Sequence, residues 1–291
     1  MDKEALFYEK LADKKVKCVL CNHFCIIGNN QRGVCKVREN REGILYSLVY
    51  GKIVAKHIDP IEKKPLFNFL PKTETYSIST VGCNFRCLFC QNFDISQPTE
   101  IIGIDTTPEE VVSEAIKYNC PSISYTYTEP TVFFEFAYDT AKLAKQKGLK
   151  NIFVTNGYMS SSALQTIQPY LDAANVDLKS MSDGFYRKIC GGSLQPVLNN
   201  LKEMIKLKIW VEVTTLIIPG LNDSEEELSN IARFIKDELG ENVPWHVSAF
   251  FPTYKMLDRP CTPPETVRWA RDLGKKIGLQ HVYTGNIGEK Q

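Results

Sequence analysis

The chain has 291 residues, 43% hydrophobic content and a formal net charge of +1. That is long enough to bury a substantial core and to hold an enzyme, as one barrel-like domain or as a small domain joined to a larger one. The near-neutral total excludes a strongly acidic or basic chain, yet the split is uneven: residues 1 to 72 carry 14 Lys and Arg against 8 Asp and Glu, a net of +6, which leaves −5 for the rest.

The amino-terminal "MDKEALFYEKLADKKVKC" has no apolar run of signal-peptide length, and nowhere do about eighteen apolar residues run consecutively, so the chain reads as cytoplasmic with no membrane span. Its ten cysteines then sit in a reducing compartment, where clustered thiols point to metal or redox chemistry rather than to disulfides. Four of them, Cys18, Cys21, Cys25 and Cys35, fall in "CVLCNHFCIIGNNQRGVC", which lacks sustained periodicity and must take its order from something other than an apolar core. The spacing C-x2-C-x3-C-x9-C supplies a full tetrathiolate set, suited to a structural zinc or to an auxiliary iron–sulfur cluster. His23 between them reads as a supporting or surface group. After this, "ILYSLVYGKIVAKHID" alternates like a short antiparallel hairpin, and residues 1–72 read as a Cys-rich accessory domain. Its excess positive charge suits an acidic partner or a plain solvated face; few aromatics interleave with those Lys and Arg residues, which argues against nucleic acid.

From "TYSIST" onward, in a second domain spanning 73–291, strands alternate with helix-length segments. Strands are expected at 75–81, 122–127, 151–155, 175–178, 210–217, 245–250 and 281–284. "TPEE" offers Thr107 as N-cap, Pro108 at the first helical position and Glu110 for a capping box; "SSSAL" and "NDSEEEL" start two more helices, and Gly148 ends the helix through "AKLAKQKG". Six or seven such units imply parallel strands wrapped by helices, as a full or partial β/α barrel or an open doubly wound sheet. Polar residues follow successive strands: the Cys83 group, then Thr128 and Glu129, Asn156 and Gly157, Lys179, Pro219 and Gly220. The carboxyl ends of parallel strands are where such folds place active sites. The isolated Cys120, Cys190 and Cys261 read as small buried hydrophobes.

"VGCNFRCLFCQNFDISQ", after the first of these strands, spaces Cys83, Cys87 and Cys90 as C-x3-C-x2-C. Three thiolates make an incomplete zinc site but suit a 4Fe-4S cluster with one iron left open. With Phe89 in the aromatic slot, the loop resembles the C-x3-C-x-aromatic-C motif of the radical S-adenosylmethionine (SAM) superfamily. The expected fold is α/β, a partial (β/α)6-type TIM-like barrel with a small Cys-rich amino-terminal accessory segment. The resemblance implies that Cys83, Cys87 and Cys90 hold the catalytic cluster, that SAM binds its open iron, and that reductive cleavage releases a 5′-deoxyadenosyl radical that abstracts hydrogen from a substrate. It also implies the SAM contacts. "YTEP" at 127–130 looks like the superfamily's G-G-E-P stretch, with Glu129 as the acidic residue and Tyr127 and Thr128 in place of the glycines. "TNGY" and "VDLK" resemble later strand ends of glycyl-radical activating enzymes, which points to Asn156, Asp177 and Lys179. "TTLIIPGLND" resembles the fifth-strand stretch along adenine and ribose, which points to Thr215, and Phe89 lies within the cluster loop itself.

Within the superfamily the chain resembles the AmmeMemoRadiSam-system radical SAM enzymes, relatives of pyruvate formate-lyase activating enzymes, through "CVLCNHFCII", "RGVCKVREN", "LYSLVYGKI", "DPIEKKPLFNFLP" and "STVGCNFRCLFCQN" in that order. This likeness implies anaerobic chemistry, a reductant such as ferredoxin or flavodoxin, and functional association with Memo-like and AMMECR-like proteins. A Cys-rich carboxyl-terminal ribbon common in that family has no counterpart in "GNIGEKQ", which marks a shorter member or removes a ribbon-dependent function. Two alternatives stand beside it: a glycyl-radical activating enzyme, and a non-enzymatic metal-binding scaffold. Tyr125, Tyr127, His246, Phe250, Phe251 and Tyr254 are the candidate pocket aromatics, and no residue names the substrate.

Overall fold

A computed structural model of the chain describes residues 2–288. Eight strands form its main sheet: β1 (Ala55–Pro60), β2 (Glu74–Ser79), β3 (Ser122–Tyr125), β4 (Lys150–Thr155), β5 (Ala173–Asp177), β6 (Trp210–Ile217), β7 (Trp245–Ala249) and β8 (Val282–Gly285). They lie side by side in chain order; β2 to β8 are parallel, and β1 runs antiparallel along β2. One α-helix of seven or more residues follows each strand from β2 to β7: α1 (Pro108–Lys117), α2 (Phe134–Gln146), α3 (Ser161–Ile167), α4 (Leu194–Lys206), α5 (Glu225–Phe234) and α6 (Pro264–Ile277). Six successive β/α units on one open sheet are the partial barrel expected from the alternation of elements.

The local signals explain the helix starts. Thr107 Oγ1 accepts from the Glu110 N–H while Glu110 Oε2 accepts from the Thr107 N–H, closing the capping box of α1, and Ser160 and Ser224 cap α3 and α5. Such caps contribute about 1 kcal/mol each. The parallel strands β2 to β8 are largely buried on both faces, as parallel strands under helices must be, whereas the antiparallel edge strand β1 is largely exposed. Their outer face meets Val111, Phe136, Leu164, Leu201, Ile231 and Val267 in one continuous apolar cluster. Their inner face is largely polar, with Thr75, Ser124, Asn175, Glu212, Thr214 and His246. The segment between β1 and β2 plugs this interior: Ile61 and Leu66 pack on Ile152 and Ala173, and Glu212 accepts from the Phe67 and Asn68 N–H groups and pairs with His246 at 2.7 Å.

The hairpin expected over residues 44–59 is not formed. The hairpin lies instead at Arg38–Arg41 and Ile44–Ser47, with Arg41 opposite Ile44. Glu42 and Gly43 close it with φ of 55° and 82°, the two positive-φ residues whose twist matches paired strands. Gly51, at φ +72°, then ends the run, and a Cβ there would stand 2.5 Å from the Thr106 carbonyl oxygen. Lys52–Ile53 pairs with Ile104–Asp105, and Ala55–Pro60 becomes β1 of the main sheet. Cys120 and Cys190 are buried as expected, but Cys261 is exposed because it sits in the proline-rich loop between β7 and α6. Among the described residues no helix is long and apolar enough to cross a membrane.

Candidate functional site

The three-thiol loop leaves the carboxyl end of β2 and is held from outside itself. The Arg86 and Leu88 N–H groups donate to the carbonyls of Cys190 and Ile189 at 2.7 and 3.0 Å, and the Gly82 N–H to that of Ile95 at 2.9 Å. Gly192 is required opposite it, because a Cβ there would stand 2.4 Å from the Phe85 ring. Cys83 Sγ accepts from the Phe85 N–H at 3.3 Å and from Asn156 Nδ2 at 3.8 Å, and Cys90 Sγ lies 3.1 Å from Ser96 Oγ. Burial, reinforced by the nearby Glu129 and the neighbouring thiols, pushes the Cys83 thiol well up. Cys190 touches Cys87. Among the described residues, no three His, Cys, Asp or Glu side chains stand in position to grip a single metal ion; the three thiols are gathered on one loop and not drawn to a point.

Glu129 is the hub beside them. It is 2% exposed. Its Oε1 accepts from the Thr131 N–H, the Thr131 hydroxyl and, at 2.8 Å, the Thr155 hydroxyl, and its Oε2 accepts from the Asn156 N–H at 2.8 Å. Burial raises its pKa, and those four donors work the other way. Asn156 carries the network onward: its Oδ1 accepts from the Tyr158 N–H, and its Nδ2 donates to Asn84 Oδ1 at 2.7 Å. Strand ends β3 and β4 are thereby joined to the thiol loop.

Tyr127 stands where the resembled motif has a glycine, and it adopts the conformation a glycine would, with φ +62°. A non-glycine residue there is strained by roughly 1–3 kcal/mol and needs support. Its hydroxyl donates to Asp59, the Lys64 ammonium lies 4.4 Å from its ring centroid, and the His57 ring packs edge-on. Lys64 is itself buried and donates to Asp59 at 2.6 Å, so three residues in and just after β1, His57, Asp59 and Lys64, support the loop after β3.

Lys179 and Asp177, at the end of β5, pair at 2.8 Å. Burial alone would lower the Lys179 pKa; Asp177 and the thiols of Cys87 and Cys190 outweigh it and hold the ammonium charged. Lys179 Nζ lies 5.7 Å from the centroid of the Phe89 ring. Cys83, Cys87, Cys90, Phe89, Glu129, Asn156, Asp177 and Lys179 thus all lie at the carboxyl ends of β2 to β5. Thr215 is not among them. On β6, Glu212 and Thr214 face inward to His246 and Asn175, so Thr215 faces out, donating to the Leu178 carbonyl and accepting from Trp245 Nε1. Tyr125 faces out for the same reason, its hydroxyl on Asn151 beneath α2, and Phe250 is buried in the apolar core, so neither lines the interior. Sequence reasoning passed over Asn84, Asn92, Cys190 and Lys64. Asn92 Nδ2 holds the Tyr127 carbonyl at 2.8 Å; an Asn directly after Cys83 and another two residues after Cys90 were the available signal.

A sequence profile described as the Radical SAM superfamily matches residues 77–235. The chain belongs to the radical SAM superfamily. It is 52% identical over 98% of its length, and 85% of the relative's, to a chain called Uncharacterized protein MJ0808 of Methanocaldococcus jannaschii. It is 28% identical to the pyruvate formate-lyase-activating enzyme of Clostridium pasteurianum over 57% of this chain and 72% of that one. Its fold is similar to that of Streptococcus suis SuiB bound to S-adenosylmethionine, at 12% identity and a TM-score of 0.58, covering 74% of this chain and 52% of SuiB. The radical SAM family implies a 4Fe-4S cluster and SAM. The residues fit a cluster: three soft thiols on one short loop, two N–H donors directed at the Cys83 sulfur, and a held-charged Lys179 beside Cys87 suit an anionic metal–thiolate group.

Proposed function

We propose that the protein is a radical SAM enzyme of the AmmeMemoRadiSam type, with Cys83, Cys87 and Cys90 holding the cluster. The observation that carries the site is the unbroken hydrogen-bonded chain from Glu129 through Asn156 to Cys83 and Asn84. When bound, the cluster and SAM supply a carbon-centred radical able to remove hydrogen from an unactivated C–H bond. The chain's own residues do the rest. Glu129 and Asn156 present acceptor and amide groups to the amino acid end of SAM. Asp177 and Lys179 offer one charge of each sign for its polar groups, and Phe89, 5% exposed, keeps water off the loop. A cavity of about 590 Å³ opens on the side of the barrel between β7, β8 and the plug, lined by Phe67, His246, Ser248 and Tyr283. It offers the substrate a way in between aromatic rings and the flanking Lys63 and Lys72.

Anaerobic reconstitution with iron and sulfide, followed by reduction with SAM present, tests the reading: 5′-deoxyadenosine should form, and intact SAM would overturn it. The relation to pyruvate formate-lyase activating enzymes supports a second reading, hydrogen abstraction from a protein glycine. Deuterium passing from a glycine-labelled protein into 5′-deoxyadenosine would decide for it. A one-electron carrier of the ferredoxin or flavodoxin class serves as reductant in either case, and Memo-like and AMMECR-like proteins are the proposed associates, to be sought by co-purification. The thiols of Cys18, Cys21, Cys25 and Cys35 form a second centre in this reading.

A further inference from the structure

The four amino-terminal thiols come together with more than thiols. Cys18, Cys21, Cys25 and Cys35 line one small cavity, and Arg38 and Asn84 complete its wall. Backbone bonds bring the thiols there: the Cys18 N–H donates to the Cys25 carbonyl at 2.9 Å, and a tight turn returns the Phe24 N–H to the Cys21 carbonyl. The segment is docked on the catalytic side of the barrel by Asn22, whose Nδ2 donates to the Met159 carbonyl at 2.7 Å.

Two buried side chains in this wall hold N–H groups with no partner. Arg38, 2% exposed, gives Nη2 to Glu135, while its Nε and Nη1 have no acceptor; Asn84, fully buried, has none for Nδ2. The orientation of the Asn84 amide is determined by its neighbours. Asn156 Oδ1 accepts from the Tyr158 N–H, so Asn156 Nδ2 must be the donor to Asn84 Oδ1. Asn84 Nδ2 is thereby turned away from the catalytic network. An unmade buried hydrogen bond costs about 1–3 kcal/mol, and a guanidinium with two idle N–H groups beside four thiols is what an anionic metal–thiolate centre would satisfy.

The spacing selects the centre. Structural zinc sites are commonly two close pairs of ligands, whereas three close cysteines with a fourth at a distance are an iron–sulfur arrangement. Cys18 to Cys25 reads C-x2-C-x3-C, the reverse of C-x3-C-x2-C at Cys83 to Cys90, with Cys35 added as the fourth ligand. We propose that Cys18, Cys21, Cys25 and Cys35 hold a fully ligated 4Fe-4S cluster, to whose sulfur atoms Arg38 and Asn84 donate N–H hydrogen bonds. Asn84 directly follows Cys83, so a single residue couples this centre to the catalytic loop. The inference deepens the reading above and rests on it only in taking the Cys83 loop as the neighbouring cluster.

The test uses the full-length chain with Cys83, Cys87 and Cys90 all replaced by Ala, reconstituted anaerobically with iron and sulfide. About four iron and four sulfide per chain, with a paramagnetic signal on reduction, are expected. Stoichiometric zinc with no iron, or no bound metal, overturns the cluster. In the same background Asn84→Ala should move the cluster's midpoint potential to more negative values, because a donor that stabilises the added electron is gone; an unchanged potential overturns the role of Asn84. Arg38→Lys, which keeps a cation beside Glu135, should shift it in the same direction and serves if Asn84→Ala does not fold. A failure of the radical SAM reading would appear separately, as uncleaved SAM in the wild-type chain.

Discussion

Two loops of this protein each place three thiols within eight residues, and they differ in what faces them. Across from Cys83, Cys87 and Cys90 stand a buried carboxylate, an amide and a Lys–Asp pair, a polar wall that can hold a small molecule. Across from Cys18, Cys21 and Cys25 stand a fourth thiol and N–H groups of Arg38 and Asn84. The difference teaches that three thiols on a short loop do not by themselves define a reactive site: the residues brought from other elements decide whether the fourth direction is open or closed.

The largest expected effect breaks or keeps this contrast outright. Cys83→Ala, Cys87→Ala or Cys90→Ala should lower 5′-deoxyadenosine formation by more than about a thousandfold, roughly 4 kcal/mol in barrier. Cys35→Ala, at the closed loop, should lower it by no more than about tenfold while removing bound metal. Equal losses in both would erase the distinction between the loops. Next comes the polar wall. Glu129→Ala leaves four donors without an acceptor and should cost about 3 kcal/mol of unfolding free energy by denaturant titration, along with SAM affinity; full stability in that variant would remove Glu129 as the hub.

A smaller effect is expected at Tyr127→Phe, which deletes the hydroxyl bonded to Asp59. Burial alone would raise the Asp59 pKa, but bonds from Lys63, Lys64 and Tyr127 hold it well below the usual carboxylate range. Its stabilising contribution is therefore present above about pH 4 and lost as the pH falls through the depressed folded value. Removing one donor moves that folded value back up, so the variant should lose about 1 kcal/mol at pH 7 and nearly as much at about pH 3, where the folded carboxylate is still ionised, the loss shrinking only at lower pH; full stability at pH 7 would remove the hydroxyl from the support of Asp59. The smallest is Thr215→Val, which should cost about 1 kcal/mol by leaving Trp245 Nε1 unpaired without changing SAM affinity measured by equilibrium binding. A weakened affinity would return Thr215 to the site.

Most of the barrel was legible. Strand-length segments alternated with helix-length ones, and Thr107, Ser160 and Ser224 announced their helices through side chains that act on their own neighbours in the chain. What went astray depended on partners far along the chain. The stretch 44–59 alternates in the manner of a hairpin, but alternation does not say which strand a segment pairs with, and it is divided among three sheets. Thr215 was one residue out of phase: a period of two puts neighbours on opposite faces, and only the register of β6 against β5 and β7 shows which face is inward.

The sequence by itself determined the chemistry at hand, because ligand type and spacing along a short loop are local properties: three thiols over Cys83 to Cys90, four over Cys18 to Cys35, and a β/α alternation that puts loop residues at strand ends. The tertiary structure alone decided what those thiols face. Asn84 with Asn156, Arg38 with Glu135, and Lys64 with Tyr127 are separated by 72, 97 and 63 positions in the chain. No pattern within a segment encodes such meetings; they follow from how the curled sheet and its docked amino-terminal segment bring distant buried polar groups within hydrogen-bond reach, where water is absent and each must find a partner.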